Sequence, residues 1–215
     1  MSALKGGLAL VGLTALAAFF ALPIRADSVL PNLFSRAADS VGENPTAAAG
    51  PIQARRATPL EGEQRAVTEY IAKRYRVADD AVAGFVATAY RAGEQHSVDP
   101  LLILAVMAVE SRYNPIAEST VGAKGLMQVI PRFHLEKLID HGGEHALLEP
   151  EVNIEVGARI LREYQRRFGD TGTALQMYAG AFDEPTARYA SKVFAEKARL
   201  ESLRQKAGKL MREAA

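Results

Sequence analysis

The chain of 215 residues contains no cysteine and carries a formal net charge of only +1. The first absence excludes disulfides, zinc–thiolate sites, thiol nucleophiles and lipid attachment through an N-terminal cysteine. The second leaves no hint of the concentrated basic face that nucleic-acid binding uses, so nucleic acid is not expected as a partner. No stretch shows the strict apolar–polar alternation of a half-buried strand, and no internal repeat is found. What remains is ordinary globular material, 48% apolar and 24% charged. The expected fold class is all-α.

The N-terminus sets an expectation about compartment. "MSALK" supplies a basic start, and "GGLALVGLTALAAFFALPI" follows as nineteen uncharged residues. This reads either as a secretory signal or as an uncleaved anchor. The run is long for a signal core and close to the length that spans a bilayer. Ala26 follows Ile24 and Arg25, which makes a poor cleavage site. Both readings take the rest of the chain out of the cytoplasm, with residues 6–24 a candidate membrane attachment. The expected organisation is therefore a signal or anchor over residues 1–26, a flexible Ala-, Gly-, Pro- and Ser-rich linker over 27–57, and one folded domain over 58–213.

Helix signals fill that domain. Thr58, Pro59 and Glu61 form a capping-box pattern, and Val67, Ile71 and Tyr75 recur at spacing four. A second helix is expected from about Asp80 to Glu94, and a third opens with Asp99 as cap and Pro100 in the first turn. "LMQVIPRFHLEKLID" predicts a short helix interrupted by Pro131. Ile154, Val156, Ile160, Leu161 and Tyr164 mark the inner face of the next helix, and another covers "TGTALQMYAGAF". The final helix is expected to start with Asp183 as cap and Pro185 in its first turn. It carries eight Lys or Arg against three Glu between residues 188 and 213, either a solvated face or an adhesive one for anionic wall or membrane surfaces.

One stretch asks for a chemical explanation. Nine apolar residues, Leu101 to Val109, run directly into Glu110, followed by "SRYNP". A helix apolar on every side is buried, so Glu110 stands at the C-terminal end of a core helix. Desolvation and the negative helix end would both raise its pKa, as a general acid requires. Periodicity leaves a second reading open, in which Glu110 turns outward and pairs with Arg112.

The surrounding residues favour the first reading. "ESRYNPIAESTVGAKGLMQVIP" closely resembles the signature of lytic transglycosylases of the soluble-transglycosylase (SLT) type, which have a lysozyme-like fold. The matching positions are Glu110, Ser111, Gly122, Ala123, Gly125, Leu126, Met127, Gln128 and Pro131. Downstream, "EPEVNIEVGARIL" supplies Asn153, Ile154 and Gly157. "ALQMYAGA" with Tyr189 and Val193 is similar to the last family block. The likeness covers about residues 82–196 and implies a lysozyme-like domain of about seven or eight helices.

The resemblance implies a murein lytic transglycosylase that acts on peptidoglycan glycan strands without metal or cofactor, exported to the bacterial periplasm or cell envelope, with residues 6–24 a candidate inner-membrane attachment. Glu110 would be the sole catalytic acid and base. Ser111, Met127, Gln128 and Tyr178 would form the substrate site, with Ser111 hydrogen-bonding near the cleavage point and Met127 lining the sugar floor. Gln128 would reach substrate from the short helix, and Tyr178 would hold the Glu110 carboxyl. One departure stands out: the family commonly has Tyr-Asn where this chain has Tyr178-Ala179, so one side-chain amide is missing. His134, His141 and His145 raise a metal reading, the last two being four apart, but the intervening glycines do not secure helical ligand geometry, and solvated loop histidines are expected rather than zinc ligands. Two alternatives remain: a hydrolytic muramidase, or a weakened wall-binding module that serves a secretion or motility machine.

Overall fold

The structure, a computed structural model, describes residues 58–181 and 185–213. The expected signal or anchor, the linker and the Asp183 cap lie outside the described residues. The described residues form six α-helices: α1 (Pro59–Tyr75), α2 (Asp79–His96), α3 (Pro100–Glu110), α4 (Pro150–Phe168), α5 (Thr171–Tyr178) and α6 (Arg188–Glu213). Among them the extended elements are two isolated antiparallel bridges, Glu118 with Lys124 and Lys124 with Val129.

The capping chemistry is local and complete. Thr58 accepts from the Glu61 N–H at 3.2 Å, while the Glu61 carboxylate accepts from the Thr58 N–H at 2.7 Å. Each residue thereby satisfies a donor that the first helical turn cannot. Asp99 does the same for α3, accepting from the Leu101 N–H at 2.9 Å. These contacts start the helices where the sequence pattern places them.

Helix α3 is the axis of the core. Leu101 through Ala108 are all buried, six of them with no exposure at all. Helices α2 and α6 pack on it, α1 bridges those two, and α4 packs on α2 and carries α5. An all-apolar helix needs neighbours on every side, and this arrangement supplies them. The inward positions Ile154, Val156, Ile160 and Leu161 of α4 are buried as the periodicity predicts.

Two expectations are corrected. The predicted short helix around Pro131 is instead a turn followed by 3₁₀ segments at Pro131–Phe133, Leu135–Lys137, Ile139–His141 and Glu144–Leu148. Ile130, which precedes the proline, is extended (φ −92°, ψ 108°), the conformation that steric conflict with the proline ring favours, and no α-helix runs through it. Buried Lys137 ties this segment to α4 through Glu163 at 2.9 Å. The last helix begins at Arg188, with Pro185 in the turn before it rather than in its first turn.

Candidate active site

Glu110 is the last residue of α3, so the buried helix delivers its carboxyl to the edge of the core. The Tyr189 hydroxyl, from the first turn of α6, donates to Glu110 Oε1 at 2.5 Å. Burial is the dominant influence on the carboxyl and pushes its pKa up to about 7, while the Tyr189 hydrogen bond pulls in the opposite direction. Burial also raises the Tyr189 phenol far out of its usual range, so it remains a donor. Among the described residues no second carboxylate bears on Glu110. Arg112, the alternative partner, lies instead over the Tyr75 ring, 5.6 Å from its centroid.

The backbone after Glu110 is held in an uncommon path. Arg112 and Tyr113 are both left-handed (φ 54° and 65°), which costs free energy for side-chain-bearing residues. The buried Tyr113 hydroxyl donates to the Leu104 carbonyl at 2.9 Å and locks this reversal onto α3. The returning chain lays residues 124–129 beside the helix end. Ser111 Oγ donates to the Leu126 carbonyl at 2.7 Å and also lies 3.2 Å from the Met107 carbonyl.

Asn153 fixes the loop from the other side. It is fully buried on α4, accepts from the Met127 N–H at 2.7 Å, and donates to the carbonyls of Lys124 (2.8 Å) and Leu147 (2.9 Å). The approach is so close that glycine is required at two points. A Cβ on Gly125 would stand 2.3 Å from both the Asn153 amide nitrogen and the Leu147 carbonyl, and one on Gly157 would stand 2.4 Å from the Met127 sulfur.

A cavity of about 350 Å³ adjoins this loop, lined by Gln128, Phe133, His134, Tyr164, Tyr178 and Ala179 among others. The negative charge of Glu110 reaches Tyr178 and raises its pKa further beyond the effect of burial. Ser111, the residue after Glu110, is bonded to the same loop whose Gln128 and Val129 line the cavity. Exposed Ala179 and Gly180 close α5 on the same wall, where the family's asparagine amide would stand.

The anticipated residues converge here with altered duties. Tyr178 does not hold Glu110: its hydroxyl donates to the Met127 carbonyl at 2.8 Å, and Tyr189 makes the carboxyl contact. Met127 has no exposure and packs under Gly157, so it supports the loop instead of flooring a cleft. Gln128 sits on a left-handed turn (φ 48°), not a helix. Its amide nitrogen donates to the carbonyls of Ala117 and Gly125, both at 3.0 Å, which leaves its acceptor oxygen for a ligand. Ser111 is likewise engaged with the loop. Tyr189 and Asn153 belong to the matched blocks, but spacing alone assigns neither a contact.

The family described as "Transglycosylase SLT domain" matches residues 87–199. The chain is 38% identical over 93 residues to a transglycosylase of Enterobacteria phage PRD1, covering 43% of this chain and 33% of that one. It is 40% identical over 72 residues to the soluble lytic murein transglycosylase of Salmonella typhimurium, covering 31% and 11%. It is 34% identical over 104 residues to the membrane-bound lytic murein transglycosylase C of Sodalis glossinidius, covering 46% and 26%. The match thus spans a third or less of the length of each of these relatives. An inactive mutant of the lytic transglycosylase Slt from Pseudomonas aeruginosa aligns at a TM-score of 0.49 with 24% identity, over 54% of this chain and 24% of that one. The matched span exceeds half of the sequence and contains Glu110, the loop it faces and Tyr189: the chain belongs to the transglycosylase SLT domain family.

Proposed function

We propose that the protein is a murein lytic transglycosylase of the cell envelope, cleaving the bond between N-acetylmuramic acid and N-acetylglucosamine without water. The observation that carries this reading is the single part-buried carboxyl of Glu110, raised to about 7 and held by one neutral donor. Such a group is protonated often enough near neutrality to act as an acid, and basic enough afterwards to act as a base.

Glu110 gives its proton to the glycosidic oxygen as the bond to C1 of muramic acid breaks. The resulting carboxylate then takes the proton of the muramic 6-hydroxyl while that oxygen closes onto C1. The product is a 1,6-anhydromuramoyl end, and the enzyme's proton is restored. Ordinary glycosidases need a second carboxylate to activate water or to attack C1. Internal attack by O6 removes that need, in keeping with the absence, among the described residues, of a second carboxylate that bears on Glu110. Gln128 and Tyr178 line the cavity that would receive the sugar, while Ser111 and Met127 hold the loop in shape.

Digestion of purified sacculi by the wild type and by Glu110→Gln, followed by mass spectrometry, tests the proposal. Fragments lighter by one water are expected from the wild type and none from the variant. Reducing ends throughout would assign the chain to the hydrolytic muramidases instead. Activity that survives the substitution would remove Glu110 from the chemistry.

A further inference from the structure

A second cavity, also of about 350 Å³, opens where the end of α3 meets α1 and α6. Ala108 and Val109, which line it, directly precede Glu110. Lys192, also in its wall, lies one helical turn beyond Tyr189, the residue that holds the Glu110 carboxyl. A turn rises only about 5 Å, so this cavity is a near neighbour of the reacting group.

Its charge is one-sided. Arg112, Lys192 and Arg199 face a single acid, Glu196, which is 4% exposed and already engaged. Glu196 accepts from the Tyr75 hydroxyl at 2.8 Å and from Arg199 at 2.5 Å, and Arg74 lies 3.6 Å away. Among the described residues, neither Arg112 nor Lys192 has a carboxylate within ion-pair distance. Arg112 is nevertheless held in place over the Tyr75 ring. Two exposed cations thus line a shared recess whose one carboxylate, Glu196, is already bonded to Tyr75 and Arg199.

We infer that this cavity takes a carboxylate of the peptide attached to the muramic residue at the cleavage point. The inference rests on the reading of the substrate as murein. The N-acetylated sugars offer no negative charge to the two cations, whereas the peptide carries free carboxylates. Two or three extended residues span about 7–10 Å, more than the rise of the single helical turn that separates Tyr189 from Lys192. Arg112 supplies a planar fork suited to a carboxylate, and Lys192 adds a point charge. The site would make the enzyme prefer strands that still bear their peptides.

The test measures affinity in the full-length Glu110→Gln background, so that bound strands stay intact. Glycan fragments bearing peptides are compared with the same fragments stripped by an amidase. Peptide-bearing fragments are expected to bind more tightly. Lys192→Ala is expected to reduce that preference about tenfold, the loss of one charge-assisted hydrogen bond, while Lys192→Arg retains it. Lys206→Ala, on an exposed position of α6 outside the cavity, is expected to leave the preference intact. Equal binding of the two fragments, or an equal loss in Lys206→Ala, overturns the inference and leaves only the diffuse charge of α6. Sacculi left uncut by the wild type would sink the transglycosylase reading, yet these affinities would still decide what the recess binds.

Discussion

At the scale of single residues, the fold accepts a cost in order to hold Glu110 where it is. A carboxyl whose pKa rises from 4.5 to about 7 is more easily protonated folded than unfolded. Its neutral form is fully compatible with the fold below pH 4.5, and stability is lost as pH climbs through 7. At 1.36 kcal/mol per unit of pKa, that loss amounts to as much as about 3 kcal/mol. Glu110→Gln should therefore melt higher than the wild type at pH 8 and no higher at pH 4, even though the proposed mechanism leaves it without an acid; calorimetry at both values checks this. Activity should fall as pH rises through about 7, where the acid loses its proton. Tyr189→Phe removes the bond that favours the anion, so the alkaline limb of its pH–rate profile should move upward at reduced overall rate. A limb that stays put or moves down would show that Tyr189 does not tune the acid. The nine apolar residues before Glu110 left two placements open, an inward acid or an outward partner of Arg112, and only the block from Gly122 to Pro131 favoured the first. Its partner was not legible: Tyr178 and Tyr189 both belong to the last block, one ending α5 and the other in the first turn of α6. Spacing does not say which of the two rings meets the end of α3.

At the scale of elements, the site is a helix end and a helix side gripping one loop. Ser111 at the end of α3 and Asn153 on α4 take the loop's backbone groups from opposite directions. Asn153→Ala would strand one N–H and leave two carbonyls short of a donor, at a cost of roughly 2–4 kcal/mol. Its melting temperature should drop, and catalysis should fall even at temperatures where it stays folded, because the loop that faces Glu110 is released. A variant as stable as the wild type would mean that water replaces the amide fully. The glycines of this loop were visible in sequence, but the Asn153 contacts join positions 29 and 26 residues apart and leave no periodic trace. The expected helix through Pro131 failed for a local reason. The residue before a proline avoids helical angles, and Val129, which ends the turn, already gives both its backbone groups to Lys124.

At the scale of the whole described domain, the first helix closes against the last. Tyr75 and Arg74 of α1 meet Arg199 of α6 at the buried carboxylate of Glu196. Glu196→Ala leaves the Tyr75 hydroxyl and two half-exposed guanidiniums without their acceptor, and should lower stability by about 1–3 kcal/mol. Chemical denaturation measures this, and an unchanged midpoint would mean that α6 is held by its apolar stripe alone. The helical layout was legible at this scale through its caps and periodic faces. The side chain that joins the ends was not, because an acid within a basic helix reads as ordinary solvated pairing. The scarcity noted at the outset also has a bearing on how such a protein ages. With no thiol present, oxidants spend themselves on thioethers. Met107 and Met127 are sealed in the core, whereas half-buried Met177 lines the cavity beside Tyr178. Mild peroxide should convert Met177 to its sulfoxide ahead of those two and inactivate the protein before it unfolds, damage that a methionine sulfoxide reductase could reverse.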